Sequence, residues 1–157
     1  MHPARIFLTV MLLIGGFAFF SWLMTQALAP EETMPRTVDL ARPRAPAEAR
    51  RIKNPVPMSD AAIAMGRAIY HGKGTCVVCH GQMGRGDGPA GAMTRPAPRD
   101  FTDTSFQAMR ADGELFWTLQ NGIPGTGMIA FVPRMISEEE AWQVIHYIRS
   151  FRSAATD

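Results

Sequence analysis

Residues 74–81 read "GTCVVCHG" and hold the only two cysteines of a 157-residue chain. Two cysteines separated by two residues, with a histidine directly after the second, admit three chemistries: a redox dithiol, half of a zinc site, or covalent haem attachment. A zinc cage needs four ligands, generally a second Cys or His pair. The other histidines, His2, His71 and His146, stand unpaired in the sequence. A thioredoxin-like dithiol belongs to a βαβ setting, and no strand pattern is visible here. Cys-x-x-Cys-His is the signature of c-type haem attachment. On a helical turn, positions i, i+3 and i+4 share one face. Cys76 and Cys79 can then form thioethers to the two haem vinyl groups while His80 aims its imidazole at the iron, with Val77 and Val78 as apolar spacers.

A second axial ligand must come from elsewhere, and the chain offers eleven methionines. Met1, Met11, Met24 and Met34 precede the folded part, and Met58 and Met65 belong to its first helix, leaving Met83, Met93, Met109, Met128 and Met135. Met128 is singled out by the "GIPGTG" before it, where Gly and Pro let backbone lie close against a porphyrin face. Met135, just ahead of a helix start, reads as a staple or core residue.

Helices must position these groups. Ser59 is an N-cap signal for "DAAIAMGRAIYHG", with Ala62, Met65 and Ile69 on one stripe. "SEEEAWQVIHYIRSF" opens with a capping box, Ser137 and Glu140, and repeats apolar residues at Trp142, Ile145, Ile148 and Phe151. "DGELFWTLQNG" reads as a shorter helix closed by Gly122. Between them run two long Gly- and Pro-rich loops, 81–103 and 121–135. Loops of that length need an organiser, and a prosthetic group would supply the missing core. The "RGD" at Arg85–Asp87 is read as part of a Gly-rich turn without an adhesion role, and His71 and His146 are expected to be partly exposed.

The first 57 residues have a different composition. Ile6–Ala29 is a run of 24 positions without a charge, about 36 Å as a helix and enough for one membrane span. Arg5 before it and Glu31 and Glu32 after it put the N-terminus in the cytoplasm and the remainder across the inner membrane. The rival is a cleaved signal peptide, for which "ALA" at Ala27–Ala29 supplies a cleavage pattern. The apolar run exceeds an ordinary signal-peptide core and Pro30 follows the cut, so residues 1–29 are read as an uncleaved anchor. Residues 30–57 hold six prolines in 28 positions and no apolar periodicity, which reads as an extended linker to a domain over 58–157. That domain carries nine Lys/Arg against ten Asp/Glu, so it offers no electrostatic footprint for nucleic acid.

Taken together, "MGRAIYHGKGTCVVCHG", "GRGDGP", "PAPRDF", "NGIPGTGM" and the closing "SEEEAWQVIHYIRSF" resemble a class I cytochrome c domain, in particular bacterial membrane-anchored mono-haem domains. The resemblance covers nearly all of residues 58–152. It implies an all-α fold around one covalently attached haem c, with crossing terminal helices and Gly66 and Tyr70 meeting the last one. It also implies haem attachment at Cys76 and Cys79 and axial ligation by His80 and Met128, whose separation of 48 residues resembles that of small bacterial cytochromes c. Ile129 stands where the family usually has proline. Pro89 matches the family proline whose carbonyl often holds the ligand histidine, with Pro96 and Pro98 as competitors, and Trp117, Phe116 and Phe131 are candidates to pack on the haem.

A His/Met pair raises the haem potential and leaves no open coordination position, which suits outer-sphere electron transfer rather than enzymatic turnover. The expectation is a membrane-tethered, mono-haem carrier with its haem domain in the periplasm, passing single electrons between respiratory donor and acceptor proteins. The alternatives are a fixed subunit of a larger respiratory complex and, behind it, a haem peroxidase. Because Lys73 is the only lysine of residues 58–157, long-range steering should be modest. Electron transfer to the acceptor should therefore slow only weakly across a salt series; a steep decline would show that a local charge cluster controls docking.

Overall fold

The computed structural model describes residues 3–27 and 44–152, and the chain divides into two units, Met1–Asp39 and Leu40–Asp157. The first unit contributes one helix, α1 (Pro3–Ala27), whose side chains from 11 to 25 are all exposed. Among the described residues no helix is long and apolar enough to cross a membrane. Leu28 and Ala29, which close the expected span and its cleavage motif, lie outside the described residues, as do His2 and residues 30–43.

The second unit is helical, with no strand among its described residues. Its frame is the crossing of α2 (Asp60–His71) with α6 (Glu138–Ser150), the most extensive helix contact in the molecule. Both starts are capped as their sequences require. The Ser59 hydroxyl accepts from the Ala62 amide at 3.1 Å. Ser137 and Glu140 exchange hydrogen bonds of 3.2 and 2.8 Å in a complete capping box. At the crossing, Gly66 lies so close to α6 that a Cβ there would sit 2.0 Å from the Gln143 carbonyl oxygen. One turn on, Tyr70 is fully buried and meets Tyr147 and Phe151 edge-on, with centroids 5.2 and 5.9 Å away. The approach of Gly66 and Tyr70 to the last helix is as the family resemblance implied.

Three shorter helices fill the interval. The turn α3 (Val77–His80) carries the cysteine motif, and α5 (Asp112–Asn121) ends at Gly122 as expected. Phe116 of α5 stacks flat on Trp142 at 4.0 Å, fixing α5 against α6. The helix α4 (Thr104–Met109) is too short for its apolar spacing to register, and its start is capped by the Asp103 carboxylate, which accepts from the Ser105 and Phe106 amides. Buried Gln107 ties α4 down by donating to the Phe101 and Ile148 carbonyls at 2.6 and 2.9 Å.

The reading of 30–57 as a tether is corrected for its second half. Residues 44–57 pack on the helices of their own unit: Ala49 is buried within a 3₁₀ turn (Ala49–Arg51), and Val56 packs against the core. The Asn54 amide donates to the Trp142 carbonyl at 3.2 Å. His146 Nε2 lies 2.8 Å from the Val56 carbonyl, and this strap leaves His146 buried rather than partly exposed. A composition averaged over 28 residues hides a stretch whose few apolar and hydrogen-bonding side chains each find one partner. Gly66→Ala should lower the unfolding free energy by about 1–3 kcal/mol or more, because backbone rather than a yielding side chain blocks the new methyl. A denaturant midpoint equal to wild type would contradict the tight crossing.

Candidate functional site

A cavity of about 510 Å³ opens between α3, α5 and the two long loops. Cys76, Cys79 and His80 line it from α3, and Met128 lines it from the loop after α5. The four residues singled out by sequence are therefore brought to one space.

Local hydrogen bonding explains how a four-residue helix holds its shape. Its last carbonyls have no partners within so short a helix, and the "GRGDGPA" loop supplies them. The amides of Gly86, Gly88 and Ala90 donate to the carbonyls of His80, Cys79 and Val78 at 2.9, 3.1 and 3.0 Å. Every second residue donates, and Pro89, which has no N–H, falls at a silent position. From the other side, the buried Tyr70 hydroxyl donates to the Gly81 carbonyl at 2.9 Å.

His80 is gripped on two sides. Its ring stacks on Phe101 with centroids 4.3 Å apart, and Nδ1 lies 3.2 Å from the Arg99 carbonyl oxygen. With Nδ1–H donating there, Nε2 is the nitrogen that keeps its lone pair, as a metal ligand requires. The expected Pro89 carbonyl is thus not the partner. Pro89 belongs to the stretch that caps α3, while Arg99, next to Pro98, passes beside the ring.

Met128 is held by its own loop. The Ile123 amide donates to the Met128 carbonyl at 2.8 Å, and the Met128 amide donates to the Thr126 hydroxyl at 3.1 Å. Met83, Met93, Met109 and Met135 are at least 38% exposed and none lines the cavity, whereas Met128 packs against the core. Ile136, not Met135, is the buried residue before the Ser137 cap. Of the aromatic candidates, Phe131 lines the cavity, Phe116 is committed to Trp142, and Trp117 does not reach the wall.

The chemistry of the cysteines separates the rival readings. Burial pushes the Cys76 thiol up to about 12, with Cys79 adding to the effect, the opposite of the depressed value a reactive dithiol needs. Among the described residues no cluster of three or more His, Cys, Asp or Glu is placed to hold a metal ion. Two free sulfurs, a histidine and a thioether around one mostly apolar cavity fit a covalently held haem.

The family model for cytochrome c matches residues 63–152, more than half of the chain. The chain belongs to the cytochrome c family. The family implies a covalently bound haem c. Among solved structures it resembles a chain of the Kuenenia stuttgartiensis reducing HAO-like protein complex, with 30% identity and a TM-score of 0.55. The match covers 64% of this chain and 49% of that one, so the likeness spans about half of that protein's length. No curated protein matches the sequence.

The Tyr70 phenol, lodged against this site, is pushed well above tyrosine's ordinary value of about 10, chiefly by burial. A group with a raised folded pKa gives stability that is present below its unfolded pKa and lost as pH climbs past it. The cytochrome should therefore lose stability above about pH 10. Tyr70→Phe should lower stability by about 1 kcal/mol at neutral pH, through the unpaired Gly81 carbonyl, and should blunt the alkaline loss. Chemical unfolding at pH 7 and pH 11 checks both signs.

Proposed function

We propose that this cytochrome is a mono-haem carrier in which Cys76 and Cys79 hold the haem through thioethers and His80 and Met128 are its axial ligands. The observation that carries the reading is the convergence of these four side chains on one cavity. Haem c supplies a one-electron Fe(III)/Fe(II) couple when bound. The protein's part is to keep that couple closed to other chemistry. His80 is fixed by Phe101 and Arg99, Met128 is fixed by its tied loop, and the mostly apolar wall offers water few hydrogen-bond partners. With both His80 and Met128 engaged in holding it, the haem would offer no place for peroxide or oxygen, which argues for electron transfer over a peroxidase.

The same proposal places the haem domain on the periplasmic side of the inner membrane, tethered by residues 1–29 and exchanging electrons with membrane-bound respiratory donors and acceptors. Its support is the 24-residue charge-free run with Arg5 on one side and two glutamates on the other. Tethering confines the domain near such partners and raises its effective concentration there. The second reading, a fixed subunit of a larger complex, is favoured by one observation: the structural relative is itself a chain of a protein complex. Detergent extraction decides between them, since a lone species of 17.3 kDa indicates a carrier and co-purifying chains indicate a subunit.

Haem should stay with the polypeptide after acid–acetone extraction, one per chain; a colourless polypeptide refutes the attachment. Met128→Leu should abolish the methionine–iron charge-transfer band, Met135→Leu should retain it, and Met128→His should lower the reduction potential. The reverse pattern for the two leucine variants would move the ligand to Met135.

A further inference from the structure

Glu114 is a buried carboxylate in the wall of the cavity that receives the haem. Such a charge is strongly unfavourable unless it is paired, and here two guanidiniums serve it. Arg110, also on the cavity wall, approaches Oε1 at 3.6 Å from within the helical domain. Arg50 approaches Oε2 at 3.2 Å from the strap and anchors itself by donating to the Met109 carbonyl at 3.0 Å. The strap is built to deliver that arginine. A Cβ at Gly113 would sit 2.0 Å from the Ala49 carbonyl oxygen, so α5 gives up a side chain to admit the strap's backbone one residue before Glu114.

A capping role does not account for the cluster. Glu114 accepts from the Ala111 amide at 2.8 Å, but a neutral glutamine could accept there equally well, without burying a charge. Nor does the family account for it: Arg50 lies outside the matched residues 63–152. Arg110 faces the carboxylate from within the domain, and Arg50 adds a further positive charge from the strap. Positive charge beside a haem favours Fe(II), because reduction adds a negative charge to the iron centre.

We propose that Arg50 is a positioning residue for electron transfer, which adds a positive charge to the Arg50–Glu114–Arg110 cluster in the haem-cavity wall and so raises the haem reduction potential. The strap thereby makes the segment preceding the cytochrome fold part of the redox site. This rests on haem occupying the cavity.

The test is potentiometric titration of the intact haem-loaded chain. Arg50→Gln should lower the Fe(II)/Fe(III) ratio at a fixed ambient potential by about tenfold, equivalent to about 59 mV for one electron. Glu114→Gln should shift the ratio upward. The double variant, which has the wild-type cluster charge, should return close to wild type, and Arg50→Lys should keep most of the native value. A purely structural Arg50 would change the thermal midpoint while every variant kept the wild-type potential, and that result overturns the proposal. The wild-type spectrum separates this failure from the other: unchanged potentials with intact covalent haem defeat only the role of Arg50, whereas a chain without haem defeats the site itself. If Glu114→Gln fails to fold, the pair Arg50→Gln and Arg50→Lys decides alone, because Arg50 is 58% exposed and its loss leaves the core intact.

Discussion

The hydrogen bond from the buried Tyr70 hydroxyl to the Gly81 carbonyl joins the helix crossing to the cysteine turn. On one side of it, Tyr70 belongs to α2 and packs edge-on against Tyr147 and Phe151 near the crossing. On the other, Gly81 ends α3, whose Cys79 and His80 must face one cavity together with Cys76 at its N-cap. A four-residue helix cannot hold itself in water. Its geometry is borrowed from the α2–α6 pair through this hydroxyl and from the Gly-rich loop through three backbone amides.

The two long loops acquire order in different ways. Residues 84–101 are organised from below, by capping α3 and by the Phe101 amide donating to the Gly84 carbonyl at 2.6 Å. That second bond brings the Phe101 ring onto His80. The loop around Met128 is organised from α5, where the Leu119 carbonyl accepts from the Phe131 and Val132 amides. His80 and Met128 thus depend on different helices, α3 and α5, for their placement at the cavity.

Electrostatics enters at two points of unlike character. Around the cysteines the surroundings are apolar and hold Cys76 protonated. On α5, by contrast, the wall admits a carboxylate and compensates it from both sides. The first suits covalent attachment without redox activity of the sulfurs, and the second gives the protein a handle on the potential of the haem the family implies.

The sequence by itself determined the elements whose signals are local. The capping residues Ser59, Ser137 and Glu140, the stop at Gly122 and the spacing of Cys76, Cys79 and His80 act within a turn or two of chain, where sterics and hydrogen bonding depend on near neighbours alone. The place of Met128 on the cavity wall was legible for the same reason, through the Gly and Pro that precede it. What only the tertiary structure decided are the pairings between distant segments of similar chemistry. Several carbonyls could have held His80, and Arg99 does so because Pro89 lies in the stretch that caps α3. Residues 44–57 have a linker's composition, yet Ala49, Asn54 and Val56 dock because Gly113, Trp142 and His146 present matching surfaces. Such matches need only one or two residues on each side, leave no periodicity in the chain, and exist only after α5 and α6 have assembled.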